Sequence, residues 1–115
     1  VGMGADPVVL RNLADILELF ENDPGTDAVI IVGEVGGEQE EKAAGFIARK
    51  MTKPVATYIA GRYSPQGKKM GHAGAFVRGS TGTVAGKHEA LRTAGATILE
   101  SPIDVAKWAK KNKLR

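Results

Sequence analysis

Apolar residues recur at three- and four-residue steps between Val9 and Glu21. Val9, Leu10, Leu13, Ile16, Leu17 and Phe20 form one face of a predicted helix, opened by Asp6-Pro7 and closed by Pro24-Gly25. The pattern then changes period. Ala28-Val29-Ile30-Ile31-Val32 is an unbroken, largely β-branched run between Asp27 and Gly33, which predicts a strand covered on both faces in a parallel sheet, with Glu34 at its C-terminal end. Gly36-Gly37 leads into Glu38-Gln39-Glu40-Glu41, an acidic turn suited to the positive end of a helix dipole, and Ala43, Ala44, Phe46 and Ile47 carry that helix on to Met51. Lys53–Ala60 reads as a second strand, in which Pro54 is tolerable because it lies near the entry.

The residues from Gly61 to Thr83 form a glycine-rich stretch too long for an ordinary connection, and such stretches usually serve function. Helical pattern returns from Val84 to Thr93, with Gly95 as a C-terminal cap. Ala96–Leu99 is a short strand, and Ser101-Pro102 begins a last helix that runs into lysines. Helices and strands thus alternate, which predicts an α/β fold: a flavodoxin-like parallel sheet with helices on both faces and ligands at the strands' C-terminal ends. Three strands are few for such a sheet, and Val1-Gly2 opens like a turn that follows a strand. Residues 1–115 are therefore expected to be the C-terminal part of one domain, with an apolar sheet edge left for an upstream segment or a partner to cover.

Composition narrows the function classes. Hydrophobic residues make up 43% and charged residues 25% of the 115, ordinary values for a packed domain rather than a disordered one. The net charge of +3 owes much to the tail, through Lys107, Lys110, Lys111, Lys113 and Arg115, which gives no support to a nucleic-acid partner. No apolar run approaches the roughly 20 residues of a membrane helix. With no cysteine there are no disulfides, thiolate metal sites or cysteine nucleophiles, and a cytoplasmic setting fits.

Two histidines are candidates for chemistry. His88 sits in a helical stretch between Lys87 and Glu89 and reads as a solvated helix residue, whereas His72 lies in Met70-Gly71-His72-Ala73-Gly74-Ala75, uncrowded and able to move. A neutral imidazole is nucleophilic near neutral pH, and its second nitrogen needs an acceptor to fix the tautomer. Glu34, at a neighbouring strand's C-terminal end, is the best placed acceptor by topology; its structural alternative is a carboxylate capping nearby backbone. Other signals are weaker. An anion site at Gly36-Gly37 is opposed by Glu38, Glu40 and Glu41; Lys68 and Lys69 read as a solvated pair; Gly79-Ser80-Thr81-Gly82-Thr83 lacks the ending of a P-loop. No metal-ligating set is evident, and no cofactor-binding residue is identified. A response-regulator-like phosphoacceptor would need aspartates clustered at strand ends, which the chain lacks.

Taken in order, several segments resemble the C-terminal ligase domain of the succinyl-CoA synthetase α subunit, a domain shared with other nucleoside-diphosphate-forming acyl-CoA ligases and ATP-citrate lyase. They are Gly2-Met3-Gly4-Ala5-Asp6-Pro7, Leu17-Glu18-Leu19-Phe20-Glu21-Asn22-Asp23-Pro24, Gly33-Glu34-Val35-Gly36-Gly37, Lys53-Pro54-Val55 and Ile59-Ala60-Gly61. The most specific is Gly67-Lys68-Lys69-Met70-Gly71-His72-Ala73-Gly74-Ala75. The resemblance runs nearly end to end and is least specific after Thr83.

The resemblance implies that His72 is transiently phosphorylated, with Glu34 orienting and stabilising it, and that phosphate passes between succinyl phosphate and a nucleoside diphosphate. It implies a succinate–CoA ligase subunit, ADP- or GDP-forming, with CoA, ATP or GTP, and Mg²⁺ as substrates of the complete enzyme and none held firmly by this chain. The implied partners are a β subunit and an upstream CoA-binding domain within a hetero-oligomer, located in the cytoplasm or, in a eukaryote, the mitochondrial matrix; residues 1–115 alone would be inactive. Val35 stands where isoleucine is common and Phe76 where a smaller aliphatic is usual. Malate, citrate and acetate ligases therefore stay open as alternatives, with succinate favoured by Pro65-x-Gly67-Lys68-Lys69-Met70. The alternative outside the ligases is a non-catalytic flavodoxin-like binding module in which His72 is a plain loop residue.

Overall fold

The two β-branched runs pair in parallel. β1 (Val29–Glu34) lies beside β2 (Val55–Ala60) in the register Val29↔Val55 through Glu34↔Ala60, and the short β3 (Thr97–Ile98) adds to the other side of β2 through Ala56↔Thr97 and Thr57↔Ile98. The computed structural model describes residues 1–2, 11–61 and 83–114. Among the described residues the sheet has the order β1-β2-β3, with α1 (Leu13–Glu21), α2 (Gln39–Lys50), α3 (Val84–Thr93) and α4 (Asp104–Lys111) as its helices. The expected alternation and parallel α/β fold are thus present.

One face of the sheet carries the main core. Val29 and Ile31 of β1 and Val55 and Ile59 of β2 pack with Leu17 of α1, Ala43, Ala44, Phe46 and Ile47 of α2, and Val84 and Leu91 of α3. On the other face Trp108 of α4 packs with Ala56 and Leu99, flanked by Tyr58, Val105 and Leu114. Helices therefore lie on both faces. The coverage is uneven, however, and corrects the expectation that β1 is buried on both sides: Ile30 is 40% and Val32 is 72% exposed. The apolar run in β1 is continuous in sequence, but the second-face cluster reaches only as far as Ala28, just before the strand.

Local chemistry sets the boundaries. α1 starts at Leu13, later than the periodicity from Val9 suggests, because Asn12 and Asp15 close a capping box: the Asn12 side chain accepts from Asp15 N at 2.9 Å and the Asp15 carboxylate accepts from Asn12 N at 3.0 Å. The Asp6-Pro7 start lies outside the described residues. α4 likewise begins at Asp104, whose carboxylate accepts from Ser101 N at 3.1 Å, so Ser101-Pro102 forms the preceding turn. The end of α1 is tied to the entry of β2. The Glu21 carboxylate accepts from the Thr52 hydroxyl, from Thr52 N at 2.8 Å and from Lys53 N at 3.3 Å, while Lys53 Nζ donates to Phe20 O at 2.8 Å and to Asp23 O. The Thr52 hydroxyl, then its amide, holds the Glu21 carboxyl below its usual range. Among the described residues no helix is long and apolar enough to cross a membrane.

Thr57, in the middle of β2, is fully buried and its hydroxyl has no hydrogen-bond partner among the described residues. A buried hydroxyl without a partner costs free energy, and valine has the same shape without the polar atom. Thr57→Val should therefore raise unfolding stability by about 1 kcal/mol, read from a denaturant titration; a destabilised variant would show that the hydroxyl is satisfied.

Candidate functional site

The parallel register brings the two strand ends together. Glu34 closes β1 opposite Ala60, which closes β2, so the carboxylate-bearing residue stands beside the point where the chain leaves the sheet. Glu34 is exposed, while Val35 after it is buried in the main core and fixes the turn from below. Gly36 and Gly37 follow at φ 93° and 68°, two successive left-handed residues that side chains disfavour, and they turn the chain into α2. Gly61, directly after Ala60, is also left-handed at φ 89°.

His72 lies outside the described residues, as do Lys68, Lys69 and the surrounding glycines. The roots of that segment are described. It follows Gly61, one residue beyond the partner of Glu34, and the described residues resume at Thr83, whose side chain accepts from Gly86 N at 2.9 Å and caps α3. Glu34 thus sits at the sheet edge from which the histidine segment leaves. His88, expected as a solvated helix residue, is half-buried in α3.

The structure adds a group that the sequence pattern did not single out. Lys87 of α3 is fully buried, and its ammonium is paired with Glu40 of α2, lies 3.5 Å from Glu41 Oε2 and donates to Gly37 O at 3.4 Å. Two of the three acids expected to repel an anion from the Gly36-Gly37 turn are therefore engaged by a cation, and the third, Glu38, is 3.6 Å from Lys42 at the surface. The signal was available in the helical periodicity. Lys87 lies on the stripe of Val84 and Leu91, and Glu40 on the stripe of Ala43, Ala44 and Ile47, so two helices each place an opposite charge on a core face. Charges in such positions are seldom buried unless paired.

Glu40 also reaches the strand. A Cβ placed on Gly33 would collide with Glu40 Oε1 and come within 3.1 Å of Glu40 Cδ and 3.0 Å of Ile59 Cδ1, so only glycine fits beside this carboxylate. Among the described residues no group of three or more histidine, cysteine, aspartate or glutamate side chains is disposed to hold a metal ion.

A family model described as CoA-ligase matches residues 1–97. The chain is 53% identical over 102 residues to the succinate–CoA ligase [ADP-forming] subunit alpha of Methanothermobacter thermautotrophicus, covering 89% of this chain and 34% of that protein. It is 46% identical over 111 residues to the ADP-forming sulfoacetate-CoA ligase subunit SauD of Bilophila wadsworthia, covering 96% and 38%. Among solved structures, the Methanosaeta concilii ATP citrate lyase (D541A mutant) in complex with (3S)-citryl-CoA superposes with a TM-score of 0.79 at 29% identity, over 89% of this chain and 17% of that one. The chain spans about a third of the length of these two curated relatives.

Proposed function

The chain belongs to the CoA-ligase family, and on that premise we propose that it is the phosphohistidine-bearing part of a succinate–CoA ligase α subunit. The observation that carries the proposal is the register Glu34↔Ala60, which sets a carboxylate beside the departure point of the segment holding His72. Succinate is assigned because the relatives at 53% and 52% identity are named for it. The sulfoacetate ligase and citrate lyase matches mark the acid as the variable part of the reaction.

In the proposed reaction phosphate attacks the thioester carbonyl of succinyl-CoA and CoA leaves as its thiol, giving succinyl phosphate. A ring nitrogen of His72 then attacks phosphorus, the P–O bond to succinate breaks, and succinate departs. The nucleoside diphosphate, arriving with Mg²⁺ as its counter-ion, attacks the phosphohistidine; the P–N bond breaks and His72 returns to the neutral imidazole. Splitting the transfer in two through a covalent intermediate replaces one difficult meeting of substrates with two easier steps. Glu34 accepts from the second ring nitrogen, holding the attacking nitrogen unprotonated and offsetting the positive charge that builds on the ring. The nucleotide site belongs to a β subunit and the CoA site to an upstream domain. The assembly is a hetero-oligomer of the cytoplasm or, in a eukaryote, the mitochondrial matrix.

The test is phosphate incorporation. The full-length α subunit, given its β subunit, Mg²⁺ and nucleoside triphosphate labelled at the γ position, should take up acid-labile, base-stable phosphate on His72, located by mass spectrometry. A complex that turns over succinate while His72 stays unlabelled would overturn the proposal.

A further inference from the structure

We propose that Lys87 is a positioning residue for the phosphoryl transfer, holding Glu34 in place relative to the segment that carries His72. This inference rests on the function proposed above.

Lys87 Nζ has three protons to donate and faces three oxygens: Glu40 Oε2, Glu41 Oε2 at 3.5 Å and Gly37 O at 3.4 Å. As a contribution to stability this arrangement has little to recommend it. Desolvating an ammonium and a carboxylate costs about as much as their attraction returns, and an apolar pair of similar volume commonly serves a fold as well or better. What an apolar pair would not supply is a fixed geometry at three named points. Gly37 O is one of them, at the end of the left-handed turn that follows Glu34. The Glu40 carboxylate is another, lying against the α-carbon of Gly33, the residue before Glu34. Glu34 is therefore bracketed on both sides by backbone that the Lys87 cluster holds.

The third link is Lys87's own place in α3. Its backbone N–H donates to Thr83 O at 3.0 Å, and Thr83 is where the segment bearing His72 rejoins the described fold. The ammonium thus holds the turn after Glu34 against the first turn of α3, one helical turn beyond Thr83. Catalytic geometry is sensitive to displacements of about 1 Å, so a tie of this kind acts on rate before it acts on folding.

The experiment uses the full-length α subunit with its β subunit. Lys87→Met alone leaves buried carboxylates without their counter-charge and is expected to fold poorly, so the informative variant is the neutral pair Lys87→Gln with Glu40→Gln, which retains hydrogen-bonding capacity. It is made in the wild-type and Glu34→Gln backgrounds, and the rate and final extent of His72 phosphorylation are measured by rapid quench. Glu34→Gln and the neutral pair should each slow phosphorylation about tenfold with unchanged nucleotide KM and unchanged final extent, and combining them should slow it less than about twofold further. Multiplying effects, a wild-type rate in the neutral pair, or a reduced final extent with normal rate would each overturn the positioning role while leaving the phosphohistidine proposal standing. Wild-type enzyme that turns over without labelling His72 would overturn both.

Discussion

Replacing His72 with asparagine in the complete enzyme should abolish phosphoenzyme formation and lower turnover by at least about a thousandfold, while leaving the melting temperature of the α subunit unchanged. Asparagine has similar reach and keeps a donor and an acceptor, but its nitrogen lone pair is delocalised into the amide and does not attack phosphorus. The loss should follow the steps of the proposed reaction. Isotope exchange between nucleoside diphosphate and triphosphate, which needs only the phosphohistidine step, should vanish. Phosphate-dependent release of CoA from succinyl-CoA precedes that step and should survive for a single turnover. Localisation of the label is decisive, because residues 1–115 alone contain two histidines. Label persisting in His72→Asn on His88, which is half-buried in α3, would move the acceptor to that helix and sink the assignment of His72.

The elements were legible because their signals are local. Strand β2, helix α2 and helix α3 lie where β-branched runs, an acidic first turn and a glycine after Thr93 place them. Burial of β1 was less legible. A continuous apolar run gives the strand but not what lies over it, and Ile30 and Val32 prove exposed because coverage depends on residues far along the chain. The start of α1 was misplaced for a local reason: Asn12 and Asp15 cap each other, and hydrophobic periodicity carries no information about caps. The candidate site divides in the same way. Glu34 at a strand's end could be read from Val32-Gly33-Glu34, whereas the Lys87–Glu40 pair joins residues 47 apart, and nothing near Glu40 announces its partner. From sequence the acidic turn Glu38–Glu41 therefore reads as uncompensated charge, although the structure places a buried ammonium against two of its carboxylates.

That pair makes a single methyl group at Gly33 costly. Gly33→Ala should destabilise the domain by about 3 kcal/mol, whereas Gly45→Ala in α2 should stabilise it by up to about 1 kcal/mol, both read from denaturant titrations of the full-length subunit. Alanine at either position trims the freedom of the unfolded chain, so the contrast comes from the folded state. At Gly45 the new methyl would meet the Arg49 guanidinium at 3.3 Å, the far end of a flexible surface side chain that swings aside, and the helix gains propensity. At Gly33 the obstacle is Glu40, also a long side chain, but one whose carboxylate is bound to a fully buried lysine. Moving it leaves the ammonium with poorer partners in a dry site; keeping it forces β1 away from Ile59 of β2, whose Cδ1 stands 3.0 Å from the added carbon. The first relaxation removes the Glu40 carboxylate from beside Gly33 and the second shifts the backbone directly before Glu34, so either way the rate of His72 phosphorylation should fall along with stability. A Gly33→Ala variant as stable as wild type would show that the Glu40 carboxylate is free to leave Lys87, and would remove the rigid bracket on which the positioning of Glu34 depends.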